Sequence, residues 1–175
     1  MVIHGVTGSG KTELYLRSVR AILESGRQAI VLVPEISLTP QTVQRFHARF
    51  PGKVGIIHSK LSEGERFDTW RRVRNGELTV IVGPRSALFV PFANLGIIVI
   101  DEAHDDSYFQ NDIPPRYSTL RTALAYGRIC KSIVMYGSAT PGVELMYRAQ
   151  QQNWPVIYLP YRVLAQRKEV EAVLG

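Results

Sequence analysis

Short apolar runs rich in β-branched residues recur along the chain, at 1–4, 29–33, 54–57, 78–82, 97–100, 133–135 and 156–159. Each has the length and composition of a strand. Segments of helical length separate them, at 11–25, 39–50, 63–75, 117–128 and 142–152. The punctuation agrees with this reading. Ser62 and Glu65 form an S-x-x-E capping box ahead of the third helix, and Gly26 and Gly76 stand where a left-handed C-terminal cap belongs. The strands are apolar throughout rather than alternating, so both faces of their sheet need cover, which is the habit of parallel sheets. The expected fold class is α/β, a three-layer α/β/α sandwich around a mainly parallel sheet. One long irregular stretch interrupts it at 105–116, where Pro114 and Pro115 block regular structure. Residues 1–160 are expected to form one globular unit, and 161–175, charged and mixed, a linker start or a short terminal helix.

Composition changes this picture in three places. Hydrophobic residues at 45% and charged residues at 21% are ordinary for a folded domain and exclude a disordered chain. Lys and Arg number 21 against 15 Asp and Glu, and the net charge of +6 favours a polyanionic partner such as nucleic acid without requiring one. The single cysteine, Cys130, excludes an intramolecular disulfide and a cysteine-rich zinc site within these residues, so no zinc is expected here and a cytoplasmic location fits. No apolar run approaches the roughly 20 residues that span a bilayer, so no membrane partner is expected. Met1 leads straight into a strand, and the chain is expected to be a piece cut close to its first motif.

Two motifs carry chemistry. Gly5-Val-Thr-Gly-Ser-Gly-Lys-Thr12 has the G-x-x-x-x-G-K-[ST] spacing of a phosphate-binding loop, between a strand and a helix. Phosphates need backbone N–H groups at close range. Gly8 and Gly10 permit that approach, Ser9 lies between them, and the following helix adds its N-terminal dipole. Lys11 is expected to neutralise the outer phosphates of ATP and Thr12 to ligate Mg2+. Residues 97–104 form an apolar strand ending in Asp101-Glu-Ala-His104, which places Asp101 to hold the metal and Glu102 to orient and deprotonate an attacking water. For His104, position alone favours a hydrogen-bonded structural role over a catalytic one.

Asp101-Glu-Ala-His104 followed by Gly137-Ser-Ala-Thr140 resembles motifs II and III of superfamily 2 helicases. More closely, residues 5–13, 31–41, His58-Ser59 and Arg85-Ser-Ala-Leu-Phe89 resemble the bacterial primosomal protein N-prime (PriA) family of replication-restart DNA helicases, over about residues 4–164. The resemblance implies a RecA-like first motor lobe, ATP-driven 3′-to-5′ unwinding at stalled forks, and loading of the replicative helicase. It implies nucleotide contacts from Gly8, Ser9, Gly10, Lys11, Thr12 and Glu13, with Thr12 and Asp101 on the metal. DNA-backbone contacts are implied for Pro34, Glu35 and Thr39, and for Arg85 and Ser86. Without the family, Arg85 reads as an exposed charge after Gly83-Pro84. Ser138 and Thr140 are implied to bridge the ATP site to DNA with His104; the other reading makes them the cap of the following helix. Tyr108 and Phe109, in a segment resembling the family's aromatic-rich coupling loop, are expected to stack on bases or couple strand binding to hydrolysis, with core packing as the alternative. Arg116 matches the pattern just beyond.

The chain departs from the family where Ala103 replaces a glutamate and Pro84 replaces a threonine, deleting one backbone donor. Implied partners are forked or single-stranded DNA, a second motor lobe carrying an arginine finger, and other primosome proteins. A small P-loop phosphotransferase and a non-catalytic docking fragment of a replication protein are the competing readings; the first leaves Gly-Ser-Ala-Thr without a role.

Overall fold

The computed structural model describes residues 1–111 and 114–163. The expected terminal helix or linker lies, from 164 onward, outside the described residues. Strands β1 (Val2–Gly5), β2 (Gln28–Leu32), β3 (Val54–Ile56), β4 (Val80–Gly83), β5 (Leu95–Ile100), β8 (Ile133–Ser138) and β9 (Val156–Leu159) form one sheet in the order β3-β4-β2-β5-β8-β1-β9. Every pairing in it is parallel, as in Ile30 opposite Ile98 and Ile3 opposite Gly137. Helices α1 (Lys11–Glu24), α2 (Pro40–Arg49), α3 (Glu63–Arg74), α4 (Thr119–Ile129) and α5 (Val143–Gln151) connect the strands.

The apolar-throughout strands are explained by two cores. Along β2, Ala29 and Val31 face a cluster with Tyr15, Leu16 and Val19 of α1 and Phe46 of α2, while Ile30 and Leu32 face the opposite cluster with Val73 of α3, Ala123 of α4 and Leu145 of α5. Successive strand side chains point to opposite faces, so a strand covered on both sides is apolar at every position. The three-layer expectation holds.

Helix starts follow local chemistry. Thr39 caps α2 by accepting a hydrogen bond from the Thr42 N–H, with Pro40 at the first helical position. The Ser62 hydroxyl and the Glu65 carboxylate complete the capping box of α3, the carboxylate accepting from the Ser62 N–H at 2.9 Å.

The stretch expected to be irregular is more ordered than its prolines suggest. A single turn of 3-10 helix at Asp106–Tyr108 leads into β6 (Phe109–Gln110), which pairs antiparallel with β7 (Tyr117–Ser118). The helix expected from 117 therefore begins at Thr119, because Tyr117 and Ser118 are committed to this small hairpin.

Candidate active site

The C-terminal ends of β1 and β5 are separated in the sheet only by β8, and both open on the same edge. Ligands of parallel α/β sheets bind beyond such strand ends. From β1 the chain enters the loop 6–10, where Gly8 (φ 81°) and Gly10 (φ 92°) both take left-handed conformations. A side chain at either would be strained, and together they turn the backbone toward α1. Lys11 is buried, and its Nζ donates to the Gly5 carbonyl at 2.8 Å and lies 3.8 Å from Glu102 Oε1. The Ser9 hydroxyl is buried and has no hydrogen-bond partner among the described residues. A polar atom orphaned inside a cradle of backbone N–H groups fits a phosphate ligand.

At the end of β5, Asp101 is fixed from two sides. Tyr15, one turn along α1 from Lys11, donates from Oη to Asp101 Oδ1 at 2.9 Å, and the Glu102 N–H donates to the same oxygen at 3.0 Å. Burial lifts the Asp101 carboxyl above its ordinary range; the Tyr15 bond opposes that rise and the Glu102 charge adds to it. Asp101 and Thr12 line the same cleft and present the hard oxygen ligands a magnesium ion takes. Glu102 has φ 46°, a left-handed conformation that costs a non-glycine residue about 1–2 kcal/mol. That turn brings its carboxylate back over the cleft, between Lys11 and His104 Nδ1 at 3.6 Å. The cleft between loop, Asp101 and α2 encloses about 750 Å³.

The third motif meets the second directly. His104 Nδ1 and the buried Ser138 Oγ are 2.8 Å apart, and the same hydroxyl accepts the Thr140 N–H at 3.0 Å. Ser138 therefore ties His104 to the segment after β8, and the capping alternative fails because Gly142 caps α5. Gly137 is required by close approach: a Cβ there would lie 1.6 Å from the Tyr15 hydroxyl.

Other expected residues are placed unevenly. Glu35 and Thr39 are exposed on the segment after β2, where Glu35 accepts a hydrogen bond from Ser59 Oγ at 3.4 Å. Pro34 is buried, so it shapes that segment rather than presenting a surface to DNA. Ser86 is exposed, but Arg85 is engaged, its Nη1 donating to the carbonyls of Ser107 (2.9 Å) and Phe109 (3.2 Å). The plain exposed-charge reading of Arg85 does not hold. Of the two loop aromatics, Phe109 is exposed and Tyr108 is not. Tyr108 is fully buried in the core beneath Asp101, with its Oη donating to the Asp101 carbonyl at 2.7 Å. Base stacking by Tyr108 is thus corrected to core packing in this conformation, because its ring belongs to the core cluster that includes Leu88 and Ala103 and its hydroxyl needs a partner there. Arg116 is exposed immediately before β7.

Three site residues escaped the sequence reading. Tyr15 was detectable as the residue one helical turn after Lys11, on the same face. Arg45 and Arg49 of α2 line the phosphate cleft, and nothing in a lone sequence locates α2 beside α1.

Comparison with known proteins bears on this geometry. The "Replication restart protein PriA" of Bacillus subtilis is 49% identical over 162 residues, 93% of this chain and 20% of that protein. The chain thus spans about a fifth of the length of the curated relatives it matches. Among solved structures, the Hef helicase domain of Pyrococcus furiosus superposes with TM-score 0.69 at 23% identity, covering 91% of this chain and 35% of that one. RecG bound to a three-way DNA junction superposes with TM-score 0.62 at 22% identity, covering 91% and 20%. At such identities these two establish the shared RecA-like lobe fold. The DEAD/DEAH box helicase family matches residues 1–148, which include the phosphate loop, the Asp101–His104 turn and the Ser138 segment, and the chain belongs to that family.

Proposed function

We propose that the chain is the ATP-binding first motor lobe of a replication-restart DNA helicase of PriA type, unwinding DNA 3′-to-5′ at stalled forks in the cytoplasm. The observation that carries this reading is the convergence of the glycine cradle, Lys11, Asp101 and Glu102 on one cleft at the strand ends. Gly8 and Gly10 offer backbone N–H groups and Ser9 its unpartnered hydroxyl to the phosphates, Lys11 gives them a buried cation, and Glu13 flanks the cradle. Thr12 and Asp101 hold the magnesium, which when bound supplies charge neutralisation of the phosphates. Glu102 accepts the proton of the attacking water.

Glu35, Thr39 and Ser86 present polar groups to the DNA backbone, which positions a strand without reading its sequence. Pro34 supports them from beneath, and Arg85 reaches the same strand if it leaves the carbonyls it now holds. His104, Ser138 and Thr140 connect cleft and strand, while Tyr108, Phe109 and Arg116 carry the coupling loop. The firing arginine belongs to a second lobe, and such a finger contributes about 10³–10⁵ in rate, so this chain alone is expected to be nearly inert. Primosome proteins are the expected partners of the whole.

Nucleotide titration tests the reading. Wild-type chain binds ATP and Lys11→Ala does not; equal binding by both would show that Lys11 is not the phosphate ligand and would favour a docking fragment. In the longer parent protein, Glu102→Gln should keep ATP binding and lose DNA-stimulated hydrolysis. Phosphoryl transfer to a small-molecule acceptor by the isolated chain would favour the phosphotransferase instead.

A further inference from the structure

We propose that Arg45 and Arg49 bind the terminal phosphate of the nucleotide, as a cationic flank supplied by this lobe's own α2. The proposal rests on the nucleotide reading above and deepens it. Both arginines, one helical turn apart, line the cleft that Lys11, Thr12, Asp101 and Glu102 also line. Their position is fixed rather than incidental. Phe46 and Phe50, each next in sequence to one of the arginines, are buried in the same core cluster as Tyr15, Leu16 and Val19 of α1, and Thr39 locks the other end of the helix. The arginine stems therefore stand at a set distance from the first turn of α1. Arg49 Nη2 lies 3.6 Å from Oε1 of Glu13, which follows Lys11 and Thr12 in the chain and lines the same cleft.

Charge points the same way. Among the described residues lining the cleft, the cations Lys11, Arg45 and Arg49 face the anions Glu13, Asp101 and Glu102. Most of these have partners: Lys11 pairs with Glu102, Arg49 with Glu13, and Glu13 more closely with Arg17 at 2.8 Å. Arg45 is exposed and makes no hydrogen bond or ion pair among the described residues. A triphosphate stays net negative after a divalent cation has bound, more so than a diphosphate. An unpartnered guanidinium and one held by a long, shared ion pair match that excess, because a guanidinium fork suits two phosphate oxygens at once. Arg45 and Arg49 thus make the cleft prefer a nucleoside triphosphate over the diphosphate product.

Calorimetric titration of the chain with ADP and with the non-hydrolysable analogue AMP-PNP, each with magnesium, tests this. The double variant Arg45→Ala/Arg49→Ala should lose about tenfold in AMP-PNP affinity, and under about twofold in ADP affinity. Arg45→Gln alone removes no hydrogen bond or ion pair among the described residues, so it gives a smaller loss of the same kind even if the double variant folds poorly. Equal losses for both nucleotides, or none for either, would overturn the proposal while leaving the Lys11 site intact. If wild-type chain bound neither nucleotide, the underlying nucleotide reading would fail, and Lys11→Ala serves as the reference for that outcome.

Discussion

Removing a single oxygen, in Tyr15→Phe, tests how Asp101 is held. The ring is 1% exposed and should keep its place, while Asp101 Oδ1 loses the donor at 2.9 Å and retains only the Glu102 N–H at 3.0 Å. Hydrogen bonds to charged groups contribute about 1.5–3 kcal/mol, and because Oδ1 keeps one partner the lower half applies, about 1.5–2 kcal/mol. For a domain of this size that is about 3–8 °C in Tm. The pH dependence has a definite sign. Burial holds the folded Asp101 pKa above its ordinary 3.8, so the folded state retains the proton more readily than the unfolded one. Stability contributed by this group is therefore greatest below 3.8 and is lost as pH rises through the folded value. The Tyr15 hydroxyl lowers that value, so without it the folded pKa rises further. The deficit of Tyr15→Phe should be small below pH 3.8 and reach full size at neutral pH. Urea unfolding at several pH values reads both quantities. An unchanged midpoint at neutral pH, or a deficit independent of pH, would refute the account of Asp101 as a charged group held by Tyr15.

Gly137→Ala drives a methyl group onto the Tyr15 hydroxyl, and a loss of about 1–3 kcal/mol is expected by thermal unfolding. Adding Tyr15→Phe should recover part of it, and strict additivity would show that the clash lies elsewhere. Ser62→Ala removes one half of the α3 capping box and should cost about 1 kcal/mol in urea titration, with no change in nucleotide affinity. Arg85→Ala frees the carbonyls of Ser107 and Phe109, so amides of 105–110 should exchange hydrogen faster while those of β5 do not. Unchanged exchange in the loop would show that Arg85 does not restrain it.

The sheet was legible because its strands are apolar at every position, as at 97–100, and a strand buried on both faces leaves that trace in one dimension. The cradle was legible because its glycines and Lys11 are contiguous. The hairpin of β6 and β7 was not, since two-residue strands carry no periodicity and the prolines between them signal only an interruption. Tyr108 misled for a related reason: polar neighbours such as Asp105, Asp106 and Ser107 mark the loop as surface, yet its side chain turns inward to the Asp101 carbonyl. Arg45 and Arg49 were invisible because what matters about them is the packing of α2 beside α1 through Phe46, a contact between segments some 30 residues apart. Sequence pattern reports what each segment needs buried, and only the folded chain reports which segments meet.

The pairing of Lys11 with the Gly5 carbonyl and Glu102 means that this lysine meets a ligand already partnered. An arriving anion competes with an internal carboxylate, and a small monoanion offers Lys11 little more than Glu102 already does. In the proposed nucleotide site a polyphosphate engages the backbone N–H groups, the Ser9 hydroxyl and the lysine together, and so can displace it. The same exchange releases Glu102. Under the proposed function, selection against abundant simple anions and release of the carboxylate proposed to activate water are then one event, triggered by the ligand that needs both.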